Sequence, residues 1–159
     1  MYNSVMKIIV NSNGVNGYDK ELLVRDPLAQ LPGYALRRAA NAMMGELSTR
    51  LQEIGLRVSD ASVLLLIDGR NNVTSSEIGR ILDIQRANMV PLLGRLDAMG
   101  LIRREPLDRK SSAIILTDEG MARLAQVRTI TERFEADLIA RVPEQHREHL
   151  VPALNALWR

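Results

Sequence analysis

Thr74-Ser75-Ser76-Glu77-Ile78-Gly79-Arg80-Ile81-Leu82-Asp83-Ile84-Gln85-Arg86 is the run that decides how this chain folds. A Thr hydroxyl accepts the backbone amide three residues on while a Glu carboxylate reaches back, so Thr74 and Glu77 mark a helix start. Ile78, Ile81 and Leu82 share one side of a short helix, and Asp83-Ile84 makes the turn. A second helix is predicted from about Gln85 to Met99, with Met89, Leu92, Leu93 and Leu96 at the i, i+3, i+4, i+7 spacing of one apolar face. Gly100 suits the left-handed residue that ends it. Leu101-Ile102-Arg103-Arg104 then reads as a strand, Glu105 to Lys110 as a turn and Ala113-Ile114-Ile115-Leu116 as the returning strand.

Two short helices, a turn and a basic hairpin, in that order, make a winged helix-turn-helix. The polar face of the second helix carries Gln85, Arg86, Asn88 and Arg95. Arg can bind guanine bidentately, and Asn or Gln can do the same with adenine. Arg86 and Asn88 are expected at base edges, and Ser75, Ser76 and Arg95 at phosphates. Arg109 and Lys110 on the hairpin turn are expected to reach the DNA, Arg109 in the minor groove. From Arg80 to Lys110 seven basic residues face four acidic ones, whereas the flanking segments are balanced or slightly acidic. The positive excess therefore coincides with the proposed DNA-binding elements, although a solvated charged face could produce so small an excess. Pro91 lies inside the predicted recognition helix, where it removes a donor and ordinarily costs about 3 kcal/mol. A bend there would re-aim Arg95 relative to Arg86.

With those residues in place, the chain resembles the MarR family of winged-helix transcriptional regulators. Gly100-Leu101-Ile102-Arg103-Arg104, Asp108-Arg109-Lys110 and Leu116-Thr117-Asp118-Glu119-Gly120 follow the family's GLV-x-R, D-R-R and LT-x-x-G series in order. The resemblance extends from about Leu36 to the C-terminus, with a wing turn about two residues shorter than the family pattern.

The composition, 46% apolar and 25% charged, is that of a folded domain, and 159 residues suffice for one substantial core. No apolar run approaches the roughly 18 residues of a membrane span, and Met6 to Val10 is too short for a secretory core, so a cytoplasmic protein is expected. The absence of cysteine excludes disulfide scaffolds and thiolate sensing or metal sites. His146 and His149 have a spacing that could place two ligands on one helix face, but no third ligand is evident and no metal is expected. Neither a phosphate loop nor a nucleophile elbow occurs, so no catalytic role and no cofactor is expected.

Residues 1–31 read as an N-terminal arm, with turn formers from Asn11 to Gly17. Residues 32–159 read as one subunit, mainly α with a small β-hairpin wing. Its winged helix-turn-helix covers about 56–117, between terminal helices at about 32–54 and 118–158. Ser59 is a plausible cap for a helix from Asp60 to about Asp68, and Thr117 for one reaching about Arg141. Pro143 suits the first turn of a last helix through Leu157, which Pro152 should kink or split. Long apolar stripes at both ends need a surface to cover. The resemblance implies a homodimer interlaced through these helices; an intrachain helical cap on a monomer is the alternative.

The resemblance further implies a double-stranded, pseudo-palindromic DNA partner and a small effector bound near Met43 and Met44. The lining would include some of Leu36, Met43, Met44, Ser62 and Leu66. Arg37 and Arg38 stand in the first turns of a helix, where the dipole disfavours cations. An aromatic carboxylate, or its thioester with an anionic carrier, would relieve them; plain solvation of both arginines explains them equally well. An effector-released repressor leads, with an effector-independent DNA-binding regulator and a winged-helix protein-interaction module as alternatives.

Overall fold

The computed structural model describes residues 27–70, 72–109 and 111–158. The arm assigned to residues 1–31 lies almost wholly outside the described residues. Those described divide into two compact units, one up to Asn41 and one from Ala42 onward.

The first unit holds a turn at residues 27–30 and the first ten residues of α1, Pro32–Gln52. Pro32 stands at the first helical position, where its missing N–H is no loss. The guanidinium carbons of Arg37 and Arg38 lie 5.1 and 5.8 Å from the ring centroid of Tyr34.

The second unit holds the rest of α1 and then α2 (Val58–Ile67), α3 (Ser75–Ile81) and α4 (Arg86–Ala98). The hairpin β1 (Ile102–Pro106) and β2 (Ser112–Leu116) follows, then α5 (Asp118–Ala140), a 3-10 turn Glu144–His146 and α6 (Arg147–Asn155). Leu51, Leu56, Val63, Leu64, Ile78, Leu93, Leu96 and Val127 are fully buried, so α2 and α4 sit at the centre of one continuous apolar cluster. At about 25 cal/mol per Å² of buried apolar surface, each such leucine contributes on the order of 2 kcal/mol.

Several details depart from the sequence reading. α2 starts at Val58, and Ser59 lies inside it. The capping acceptor is instead the Asp60 carboxylate, which takes the Arg57 amide at 2.8 Å. The strands are longer than expected: Glu105 and Pro106 belong to β1, and Ser112 to β2. Beyond the hairpin, Ile114 N–H donates to the Val73 carbonyl at 2.8 Å and Thr74 bridges Ala113, tying the entrance of α3 to the wing. The last helix begins with the 3-10 turn and continues unsplit through Pro152 to Asn155. His146 falls in the turn and His149 in α6, and no metal-binding cluster occurs among the described residues.

The exit from the wing explains why Gly120 is glycine. Thr117 caps α5 by accepting the Gly120 amide at 2.9 Å, and its hydroxyl donates to the Gly100 carbonyl at 2.6 Å. A Cβ at position 120 would stand 1.9 Å from the Leu101 carbonyl oxygen. The LT-x-x-G run thus welds the start of α5 to the end of α4.

Candidate nucleic-acid interface

The helix pair is built as its caps require. Glu77 N–H donates to Thr74 Oγ1 at 3.3 Å, and Thr74 N–H donates to Glu77 Oε2 at 2.8 Å. The Thr74 amide first, and its hydroxyl second, hold the Glu77 carboxyl below its ordinary value. α3 closes with Asp83 at φ 51°, and the Ile84 amide reaches back to the Gly79 carbonyl at 2.8 Å. That left-handed residue produces the sharp turn between the helices. A Cβ on Gly79 would meet Ile84 O at 3.1 Å and Met89 Cγ at 3.3 Å, so glycine permits the close crossing.

Gln85 is the N-cap of α4, accepting the Asn88 and Met89 amides at its carbonyl. Its side chain makes no capping bond, and Gln85, Arg86 and Asn88 are all exposed. Met89, Leu92, Leu93 and Leu96 face the core as the spacing predicts. Pro91 is accommodated without ending the helix, which continues to Ala98.

In the wing, Ile102 pairs with Leu116 and Arg104 with Ile114. Its tip is closed by the Leu107 amide on Ser111 O at 3.0 Å. The Asp108 carboxylate accepts the Ser111 amide at 2.8 Å and the Ser111 hydroxyl at 2.6 Å. Arg109 is exposed at this tip, and Lys110 lies outside the described residues.

Between α3, the start of α4 and the wing lies a concave groove of about 650 Å³. It brings together Ser75, Ser76, Gln85 and Arg86 from the predicted set. It adds Arg80, Arg104 and Val90, which that set lacked. Arg80, Arg86, Arg104 and Arg109 form no salt bridge among the described residues, whereas Arg103 pairs with Glu105. Arg104 shares strand parity with the buried Ile102, so alternation alone would have turned it inward. Arg80 was visible only as part of the charge excess.

Arg95 stands apart from the rest of this set. Its guanidinium donates to Asp60 on α2, of which 1% is exposed, and its Nε is buried without a hydrogen-bond partner among the described residues. Its guanidinium is therefore engaged by the protein itself, which counts against the expected phosphate contact.

The residues expected around an effector are described within their own units. In the first, Leu36 is exposed, and Arg37 and Arg38 lie beside Tyr34. Arg37 is the sixth residue of α1, beyond the turn over which the dipole acts, so no helix-end strain calls for an anion there. In the second unit Met43 and Leu66 are half-buried and Met44 is exposed. The Ser62 hydroxyl donates to the Val58 carbonyl at 3.0 Å.

A sequence profile described as MarR family matches residues 54–111. A putative transcriptional regulatory protein for the hcr operon of Thauera aromatica is 26% identical over 140 residues, 86% of this chain and 84% of its own. The transcriptional repressor CouR bound to a 23-mer DNA duplex superposes with a TM-score of 0.77 at 33% identity, over 83% of this chain and 95% of CouR. CouR bound to p-coumaroyl-CoA gives 0.75 at 32% identity, over 83% and 94%. A Mycobacterium tuberculosis MarR family protein in complex with salicylic acid shares the fold, with a TM-score of 0.64 at 22% identity over 79% and 95%. The winged helix-turn-helix, its LT-x-x-G exit and a repressor matched over nearly its whole length agree: this chain belongs to the MarR family of DNA-binding transcriptional regulators.

Proposed function

We propose that the chain is a homodimeric repressor that two copies of α4 hold on a pseudo-palindromic operator, and that an aromatic effector releases it. The groove carries the reading: Gln85 and Arg86 open the recognition helix there, with Arg80 and Arg104 flanking and no salt bridge holding any of these arginines among the described residues. Asn88 completes the base-reading set and Ser75, Ser76, Arg109 and Lys110 the backbone set. Dimerisation is supported by the apolar side chains exposed toward the C-terminus, Val151 and Leu157 at 57% and 69%. A dimer would set the two helices about one turn of DNA apart. The winged-helix protein-interaction module has no comparable support.

CouR, bound to p-coumaroyl-CoA and 32% identical to this chain, supports an aromatic acyl thioester as the effector ahead of a free carboxylate. Leu36, Arg37, Arg38, Met43, Met44, Ser62 and Leu66 remain the candidate lining. A ligand that lowers operator affinity about 100-fold must prefer the DNA-incompetent state by about 2.7 kcal/mol. Mobility shift on DNA flanking its own gene, with and without p-coumaroyl-CoA and hydroxylated cinnamates and benzoates, tests both halves. A shift abolished by one of them is expected. A shift that none of them alters would leave an effector-independent regulator, and no shift on any duplex would remove the repressor reading.

A further inference from the structure

Val90 is 70% exposed in the middle of the recognition helix, and no packing among the described residues accounts for it. It lies one turn after Arg86 and one turn before Gly94, so the three form an outward stripe alongside the buried Met89, Leu92, Leu93 and Leu96. Ala87, Pro91 and Gly94 around it are also exposed, and none carries a hydrogen-bonding side chain. A Cβ added at Gly94 would meet nothing within 4 Å, so no internal contact requires glycine there. The outer face of α4 around Val90 is therefore smooth and apolar, and the next exposed polar side chain is Asp97, two turns on. An exposed β-branched residue also brings a helix little by its own propensity.

We infer that Val90 recognises thymine, its isopropyl group packing on the C5-methyl in the major groove, and so helps set operator sequence. The inference rests on the DNA-binding reading and extends it to a base preference. In the major groove, guanine, cytosine and adenine present hydrogen-bonding groups, and thymine adds to its acceptor a methyl group that an aliphatic side chain can cover. The surroundings select DNA over a protein partner, because Arg80, Arg86 and Arg104 line the same groove as Val90, against Asp83 as the single carboxylate there. Cations placed around an apolar spot match a methyl group set between two phosphate backbones. Gly94, one turn on, lets the helix backbone approach the bases closely.

The test starts from a duplex that the wild-type protein selects from a randomised library, with each thymine then replaced singly by deoxyuridine. This deletes one methyl group and leaves every hydrogen-bonding atom in place. Covering one methyl contributes about 0.8 kcal/mol, so at the thymine facing Val90 the wild type should lose about four-fold in affinity per half-site. The Val90→Ala variant, changed at a surface position, should bind the thymine and uracil duplexes alike, while binding random DNA like wild type. Wild type that binds the selected duplex but is indifferent to every replacement overturns the inference and leaves DNA recognition standing. So does a deoxyuridine loss that persists undiminished in Val90→Ala. Failure to select any duplex from the library instead removes the DNA-binding reading beneath it.

Discussion

The guanidinium of Arg95 on α4 donates to the carboxylate of Asp60 on α2, whose other oxygen accepts the Arg57 amide. One buried acid thus caps the helix on which it sits and holds the recognition helix against it. Removing one partner of such a pair leaves a buried charge uncompensated, which typically costs about 3 to 5 kcal/mol. Arg95→Ala should therefore lower unfolding stability by about 3 kcal/mol in urea titrations. Its DNA binding should keep the wild-type salt slope, since no phosphate contact is lost. A slope reduced by about one ion would return Arg95 to the DNA.

Arg86 makes the contrasting case, exposed at the first helical position of α4. Arg86→Ala should leave stability nearly unchanged, lower operator affinity by about 1 to 3 kcal/mol and relax base preference at one position per half-site. Equal weakening on operator and random duplexes, measured by fluorescence anisotropy, would reassign Arg86 to a phosphate.

The contrast between these two arginines shows what the sequence could reveal. Local chemistry was readable: the Thr74–Glu77 box, the apolar spacing of α4 and the Thr117 cap each act within four residues. The fate of Arg95 depends on an acid 35 positions away, which no periodicity encodes. Arg104 faces the groove against the parity of its strand, and Val73–Thr74 joins the wing through a bridge too short to show alternation. Val90 carries no such signal, because an apolar residue inside an amphipathic helix ordinarily belongs to the core.

Gly120 is expected to tolerate no side chain. Gly120→Ala would drive a methyl into the Leu101 carbonyl, which already accepts the Thr117 amide at 3.2 Å. Overpacking of this kind typically costs 1 to 3 kcal/mol, and against backbone the upper end or beyond, about 3 kcal/mol, is expected. A thermal midpoint within a degree or two of wild type would mean that the start of α5 shifts freely.

At the wing tip Arg109 is exposed and the Asp108 carboxylate holds Ser111. Arg109→Ala should weaken operator binding strongly, and most on sites with A·T-rich flanks, where the narrow groove concentrates negative potential. Lys110→Ala should weaken it less and lower the salt slope by about one. Normal binding by Arg109→Ala would mean that the short wing does not reach the DNA.

The last expectation concerns acid. Within the second unit Arg141 grips Glu46 at 2.8 and 3.0 Å, and Arg50 bridges Glu46 to Asp137 at 2.5 and 2.6 Å while lying 5.6 Å from the Phe134 ring. The Arg141 hydrogen bond chiefly holds the Glu46 carboxyl below its ordinary value; desolvation, next in size, opposes it, and the Arg50 hydrogen bond adds to the lowering. The same contacts raise the pKa of both arginines, which stay charged throughout. A carboxyl whose folded pKa is lowered contributes stability above its unfolded value, about 4.3, and loses it as pH falls through the folded value. Glu77, lowered by its cap, acts in the same direction. Urea midpoints should therefore fall as pH drops from 5 toward 3. Glu46→Gln, which keeps the shape but cannot ionise, should be less stable than wild type at pH 7 and lose less on acidification. Parallel pH curves for the two proteins would show that the Glu46 clamp contributes nothing to acid sensitivity.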